Sequence, residues 1–380
     1  MGYEELKNRL AETDREMLKL FRERMQLSAG LEKARKEENI PETRAMANRQ
    51  IMNMALEEAP EEMRDYLPLI YSQILELSKS YRHDTTGGRQ KLTEELREAI
   101  QNTSLAFPET ASVACQGVEG ANSQLACERL FPNANILFFS SFDAVFTAIE
   151  KGLCRYGIIP IENSTAGSVN AVYDLMAHHN FSIVRSIRLK VEHNLLANEG
   201  VDLSEIREIY SHEQAIAQCS EFLKTLKDVR VVPCENTALA AKMVSQSGRR
   251  DMAALSSRLC AEYYDLNVLK ASVQNTDNNY TRFICISREM EIYPGADRTS
   301  LMLTLPNRPG SLYKVLARIF ACGVNLNKLE SRPQPSREFE FTFYFDLDVP
   351  VSSPRFLRVM EELPHVCETF RYFGSYAEVM

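Results

Sequence analysis

Apolar positions recur along residues 3 to 37 at alternating steps of three and four. Tyr3, Leu6, Leu10, Thr13, Met17, Leu20, Arg24, Leu27, Leu31 and Ala34 share one stripe, without Pro and with Gly only at position 30. That spacing predicts a single helix with a coiled-coil seam, about 50 Å long at the rise of an α-helix. Pro41 closes a turn, and a second helix is predicted from about Arg44 to Glu57. A third follows Pro60, with Leu67, Ile70, Ile74, Leu77 and Tyr81 on one stripe. Three such helices cannot bury their seams alone, so the pattern predicts an intertwined dimer.

The pattern then changes. His83 to Pro108 is polar, holds Gly87-Gly88 and a charged helical stretch from Leu92 to Ile100, and reads as a linker over 87–110. From Ser112 to Ser287, strand and helix signals alternate, which predicts an α/β module over 111–289. Strands are expected at Ser112–Cys115, Tyr156–Pro160, Ser182–Lys190, Glu208–Ser211, Arg230–Pro233, Met252–Leu255 and Phe283–Ser287. Helices are expected at Gln124–Phe131, Phe142–Lys151, Ala215–Lys224 and Thr237–Gln246. Over 298–380 the order is β-α-β-β-α-β, which is ferredoxin-like. Its third strand alternates strictly at Phe339, Phe341, Phe343, Phe345 and Leu347, predicting one buried face. The helical module occupies 1–86.

Composition narrows the class. A 380-residue chain suits two or three domains. Its net charge, 44 − 52 = −8, argues against a nucleic-acid binder, so an anionic ligand must be held by a few local cations. Nine cysteines lie singly without a C-x-x-C pair, and six histidines show no metal-ligand spacing; no disulfide frame and no metal is expected. Met1 to Arg9 is polar and no apolar run is long enough for a signal peptide or a membrane span, which predicts a cytoplasmic protein with no membrane partner.

The chemistry concentrates in a few segments. Asn278-Asn279-Tyr280-Thr281-Arg282-Phe283 opens the apolar strand Ile284-Cys285-Ile286. On a strand, Thr281 and Arg282 point to opposite faces. The guanidinium can grip a carboxylate and the hydroxyl can donate to a leaving oxygen; alone, the triplet equally fits a strand start with an ion-paired Arg. Gly117-x-x-Gly120-x-x-Ser123 lies between a strand and a helix, as an anion-binding loop or an ordinary βα turn. Glu162-Asn163-Ser164 and Ser211-His212-Glu213-Gln214, with Gln218 a turn further on, put hydrogen-bonding groups at strand ends, where open α/β sheets bind ligands.

In content and order these segments resemble the prephenate dehydratase family across Ser112–Ser287. The resemblance implies a two-lobed, periplasmic-binding-protein-like α/β domain. It places Asn163, Ser211, Gln218 and Thr281 at catalytic positions, and Arg282, Ser123, Ser164 and Phe283 at substrate-binding ones. Glu213 and Asn122 depart from it, where Pro and an aromatic are common. Asn307-Arg308-Pro309-Gly310-Ser311-Leu312 and Leu329-Glu330-Ser331-Arg332-Pro333 resemble the phenylalanine-binding elements of the same family's ACT domain. That implies an allosteric site at Gly310, Ser311, Leu312, Glu330, Ser331 and Arg332.

The helical module resembles the all-α chorismate mutase often fused ahead of this dehydratase. Arg24 on the apolar seam needs an anion, either an internal carboxylate or a bound one. Arg35, Ser78 and Arg82 stand where they can complete a site wall. The module departs from the family at Lys7, Arg35, Asn48 and Arg82, in place of Arg, Lys, an acidic residue and Gln. It keeps positive charge and loses carboxylates, which predicts weak or no turnover of chorismate.

The resemblance implies conversion of prephenate to phenylpyruvate, carbon dioxide and water without a cofactor, in a homo-oligomer (dimer or tetramer) inhibited by L-phenylalanine. Arogenate is the alternative substrate, and a non-catalytic amino-acid sensor is the alternative from another class. A chain cut after Ser287 is expected to remain soluble and active.

Overall fold

The computed structural model describes residues 2–40, 44–86, 90–334 and 341–380, and its contacts divide the chain into two compact units, 1–95 and 96–380. In the first unit, helices α1 (Tyr3–Glu37) and α2 (Arg44–Glu57) both pack on α3 (Leu67–Thr86). Met25, Glu32, Ala55 and Ser78 are buried there, whereas Leu6, Leu10, Met17, Leu20, Leu27 and Leu31 of the seam remain more than half exposed. The helical stretch expected within the linker is α4 (Gln90–Asn102). Leu92, Leu96 and Ala99 recur at helical spacing on it, and Leu96 is fully buried.

The second unit begins with β1 (Thr110–Gln116), α5 (Asn122–Leu130), β2 (Asn133–Phe139), α6 (Phe142–Glu150), β3 (Tyr156–Asn163), β4 (Gly167–Ser168), α7 (Asn170–His178) and β5 (Ser182–Lys190). The chain then crosses into a second lobe. There it forms β6 (Asn194–Ala197), β7 (Glu208–Ser211), α8 (Glu213–Gln218), α9 (Ser220–Thr225), β8 (Arg230–Pro233), α10 (Thr237–Ser247), β9 (Met252–Ser256), α11 (Arg258–Tyr263) and β10 (Asn267–Lys270). It returns through 271–279 to β11 (Tyr280–Ser287), which pairs between β5 and β3. The first lobe's sheet runs β16-β5-β11-β3-β1-β2, with β4 on β3, and the second's runs β10-β6-β9-β7-β8. Each lobe has a core on both sheet faces. The single helix expected over Ala215–Lys224 is two short ones, broken at Cys219.

The last module comprises β12 (Arg298–Thr304), α12 (Ser311–Ala321), β13 (Asn325–Pro333), β14 (Phe341–Asp348), α13 (Pro354–Glu362) and β15 (Thr369–Tyr376), in sheet order β13-β14-β12-β15. Phe339 lies outside the described residues. β14 does not have the one buried face that its alternation predicted: Tyr344 and Asp346 are buried as well as Phe345 and Leu347. The second face lies on the first lobe, where Tyr344, Phe373 and Tyr376 join Tyr173, Phe181 and Ile183 in one core. At Gly374, φ is +149° and an added Cβ would stand 2.1 Å from the Ile183 carbonyl oxygen, so the sheet rests directly on the backbone of β5. A final strand, β16 (Glu378–Val379), leaves the module and pairs parallel with β5. Cutting after Ser287 would remove β16 from that edge and uncover this core, which revises the expectation that such a fragment stays soluble.

Candidate active site

The two lobes meet where the crossing segments 191–193 and 271–279 lie side by side. β3 and β11 are antiparallel with Thr281 opposite Asn163 and Arg282 opposite Glu162, so each pair shares a face and the two pairs lie on opposite faces. On the first face, Asn163 Nδ2 shares its two hydrogens among three acceptors, Asn279 Oδ1 at 2.9 Å, Thr281 Oγ1 at 3.0 Å and the Tyr280 carbonyl at 3.2 Å. Asn163 Oδ1 accepts from the backbone N–H of Thr165 (3.1 Å) and Ala166 (3.0 Å) and from the Thr165 hydroxyl (2.7 Å).

Gln218 reaches over from the second lobe. Its Nε2 donates to Thr165 Oγ1 at 2.6 Å and lies 3.4 Å from Asn163 Oδ1; its Oε1 accepts from Asn279 Nδ2 at 3.0 Å and lies 2.9 Å from His193 Nε2. His193 is 5% exposed, and burial lowers its pKa against a smaller opposing effect of the Gln218 hydrogen bond. The imidazole is thus neutral near pH 7. Thr165, Gln214, Gln218, Gln274, Asn275 and Asn279 line a cavity of about 390 Å³ beside this cluster. A second cavity of about 840 Å³ touches Asn163 but opens on the Arg282 face, with Glu162, Arg282, Arg188 and Lys190 on its wall.

Of the expected catalytic residues, Thr281, Asn163 and Gln218 come together. Ser211 does not: at the end of β7 it is fully buried and donates to the Leu255 carbonyl at 2.7 Å. Ser123 is also buried and donates to the Gln116 carbonyl. The glycine loop before it is filled by α11: Cys260 and Ser257 bond the Gly120 carbonyl, and Tyr264 bonds that of Glu119. It is a lobe-to-lobe contact instead of an anion loop. Ser164 staples the start of β11 by accepting from the Tyr280 N–H and donating to the Asn278 carbonyl. Phe283 is 2% exposed in the lobe core, where a ligand cannot reach it.

Arg282 corrects the largest expectation. Its side chain is 4% exposed, and its guanidinium is ion-paired with Glu162 and with Asp346 of β14. Burial opposes the charge, but Asp346, Tyr376 and Glu162 outweigh it, and the pKa stands well above the ordinary value. Asp346 also accepts from Ser300, and Glu162 pairs with Lys328 of β13. The guanidinium is committed to the protein's own carboxylates and faces away from the Thr281 cluster.

The same parity splits the expected effector segment. Glu330 accepts from Ser168, and Arg332 grips Asp174 through two bonds of 3.0 and 2.9 Å, so both face the first lobe. Ser331 points to the opposite, exposed face. Gly310 is left-handed (φ +83°) and caps α12, and Ser311 and Leu312 line a small cavity of about 130 Å³ with Arg308 and Phe341. Gly310 itself is not on that wall.

In the helical unit, Arg24 donates to Ser78, 54 positions away, and Ser78 donates to the Ile74 carbonyl. Arg35 does not converge with Arg24; it pairs with Glu32 at 2.8 Å and bonds the Ile40 carbonyl, so its anion is internal. Lys7 is exposed beside Glu4. The side chains of Asn48 and Arg82 lie outside the described residues.

Sequence reasoning passed over His193, Thr165 and Asn279. Asn279 stands inside the motif run and Thr165 next to Ser164; His193 had no periodic signal, lying between two strands.

The prephenate dehydratase family model matches residues 113–291. Arogenate dehydratase/prephenate dehydratase 2 of Arabidopsis thaliana is 35% identical over 314 residues, covering 80% of this chain and 81% of that protein. The bifunctional chorismate mutase/prephenate dehydratase of Aquifex aeolicus is 29% identical over 382 residues, covering 99% and 98%. The structure of prephenate dehydratase from Arthrobacter aurescens in complex with L-Phe superposes with a TM-score of 0.65 at 28% identity, over 70% of this chain and 89% of that one. With its helical region ahead of a two-lobed α/β domain, the chain belongs to the prephenate dehydratase family, in its bifunctional chorismate mutase/prephenate dehydratase branch.

Proposed function

We propose that the chain converts prephenate to phenylpyruvate, with the ring hydroxyl departing against Thr281 in the cleft between the lobes. The observation that carries this reading is the Thr281 hydroxyl. Its oxygen accepts from Asn163, and among the described residues its own proton has no acceptor. It is a donor held in place and left free to point outward. In the reaction the bond to the ring carboxylate breaks, its electron pair completes the aromatic ring, and the carbon–oxygen bond breaks as hydroxide departs. Aromatisation drives these steps, so the protein's task is to hold the dianion and to stabilise charge on the departing oxygen. The amide-lined cavity of about 390 Å³ is of the size that small ligands occupy. Arg188 and Lys190 stand opposite Arg282 and Tyr280 on β5, so they share the Arg282 face and pair with Glu378 and Glu192, and the Thr281 side of the cleft is lined by neutral amides and hydroxyls.

The C-terminal module is read as an ACT domain that binds L-phenylalanine at Ser311 and Leu312. The cavity there is about 130 Å³ in one chain, well below the usual ligand cavity of about 300 Å³ or more, so a second copy completes it. The helical unit is read as a dimerising module with a reduced chorismate site around Arg24 and Ser78. Purified protein given prephenate, arogenate and chorismate separately, with product spectra followed, tests these assignments. Fast release of phenylpyruvate from prephenate, with slow or absent chorismate loss, is expected. Turnover of arogenate alone would overturn the substrate assignment.

A further inference from the structure

We infer that His193, Thr165 and Asn279 are positioning residues of the dehydratase site. They fix the direction of one chain of hydrogen bonds, from His193 through Gln218, Thr165 and Asn163 to Thr281. The inference rests on the dehydratase reading above and adds residues to it.

The direction follows from the backbone. Asn163 Oδ1 faces the N–H groups of Thr165 and Ala166, and its Nδ2 faces the Tyr280 carbonyl, so this amide fits one way round only. Its Nδ2 also meets Asn279, which must present Oδ1 there and turn its own Nδ2 toward Gln218. The Gln218 atom that accepts from Asn279 is therefore Oε1. An oxygen cannot donate, so the His193 nitrogen 2.9 Å away carries the hydrogen: the ring is the Nε2–H tautomer. The other arm of Gln218 must then donate to Thr165 Oγ1, whose hydroxyl passes its hydrogen to Asn163 Oδ1. Asn163 donates to Thr281, and the Thr281 proton is left for the cleft.

Every member donates in the same sense, so each bond polarises the next, and the cumulative effect falls on the Thr281 O–H. The chain is not a proton relay, because its amide members keep their hydrogens. The hydroxyl of the substrate departs hydrogen-bonded to a strengthened donor and takes its proton from water on release. Gln218 belongs to the second lobe, Asn163, Thr165 and Thr281 to the first, and His193 and Asn279 to the crossing segments. The chain is therefore complete only at this closure of the lobes, which ties full donor strength to a closed cleft.

Two measurements on the full-length protein decide the matter. Nitrogen-15 NMR of the labelled histidines is expected to show His193 neutral and Nε2-protonated at pH 7, with the side-chain amide protons of Asn163, Gln218 and Asn279 slow to exchange. An Nδ1–H ring would overturn the assigned direction whether or not the protein acts on prephenate, so absence of wild-type turnover would count against the dehydratase reading alone. In steady-state kinetics, Thr165→Val at an exposed position is expected to lower kcat about tenfold, less than the roughly 10²–10⁴-fold of a group that itself acts on the substrate. KM should change far less, and Thr165→Ser should recover most of the loss. His193→Leu should fall similarly, with His193→Gln, which restores an N–H, partly rescuing it. Folded Thr165→Val and His193→Leu proteins that keep wild-type kcat would sink the proposal.

Discussion

Replacing Asp346 by Asn removes one of two carboxylates that balance the Arg282 guanidinium. Both residues are buried, Arg282 at 4% and Asp346 at 6% exposure, and the change leaves shape and the Ser300 contact nearly intact. Breaking a buried ion pair on one side costs about 3–5 kcal/mol. Glu162 remains, with its side chain 30% exposed, and keeps half of the compensation. We therefore expect a loss of about 2–3 kcal/mol, at the low side of that range, or about 4–12 °C in the unfolding temperature for a unit of this size. Asp174→Asn is the control. It breaks the Arg332 pair at the same interface, but the Asp174 side chain is 54% exposed, and such pairs contribute about 1 kcal/mol at most. The double change Arg282→Met with Asp346→Leu should recover at least half of the loss, because Glu162 still has Lys328 and no charge is left alone. Calorimetric scans of the four proteins check this. An Asp346→Asn shift no larger than that of Asp174→Asn, or a double variant as unstable as the single, would refute the reasoning.

Gly374→Ala should undock the C-terminal module, because the new methyl would collide with the Ile183 backbone, which cannot rotate away; insolubility, or protease cleavage between Ser287 and Arg298, is the expected readout. His193 links stability to pH. An unfolded histidine titrates near about 6.5, and burial lowers the folded value, so the unfolded chain binds more protons between the two. That contribution is full above the unfolded value and is lost as pH falls through the folded one. Its polar neighbours Gln218 and Gln274 are uncharged, and His193→Leu should flatten this part of a stability–pH profile. The exposed seam of α1 should close on a second copy, giving a dimer in sedimentation at micromolar concentration that Leu10→Asp with Leu20→Asp weakens, leaving the contact through the C-terminal module; a monomeric wild type would contradict it.

How much of this was legible in the sequence depended on periodicity. β5, β7 and β8 lie at their expected bounds, each a short apolar stretch opened by a polar or charged residue, Ser182, Glu208 and Arg230. β2 went unread since its edge position leaves alternate residues, including Leu137, exposed. The dehydratase cluster was visible as residue types but not as faces. Strand parity alone separates Glu330 and Arg332 from Ser331, and that signal was available. Burial of both faces of β14 was not, since it depends on a lobe contributed by residues more than 150 positions earlier. Asp346 inside an aromatic strand was the one trace of it, a charge that a solvent-free face would require to be paired.

On the reading proposed above, the two faces of β11 let one dipeptide serve both chemistry and control. Thr281 ends the donor chain in the cleft, and Arg282, one peptide bond away, is held on the other face by Asp346 of the C-terminal module. Opposite them on β3, Asn163 and Glu162 repeat the division, with Glu162 held by Lys328. Both strands of the site are thus fastened to the module at the residue next to the one that acts. A ligand on the module shifts the enzyme only by favouring one arrangement of these contacts over another. Phenylalanine bound near Ser311 and Leu312 would need to move β13 and β14 against the first lobe. Packed backbone at Gly374 and paired charge at Arg282 resist gradual sliding, so the module has few arrangements to choose between. A displacement of Asp346 that Arg282 follows must also turn Thr281, because adjacent residues of a paired strand cannot move independently. Control of this kind acts on the orientation of the donor hydroxyl and not on access to the cleft, and it should appear in kcat before it appears in KM.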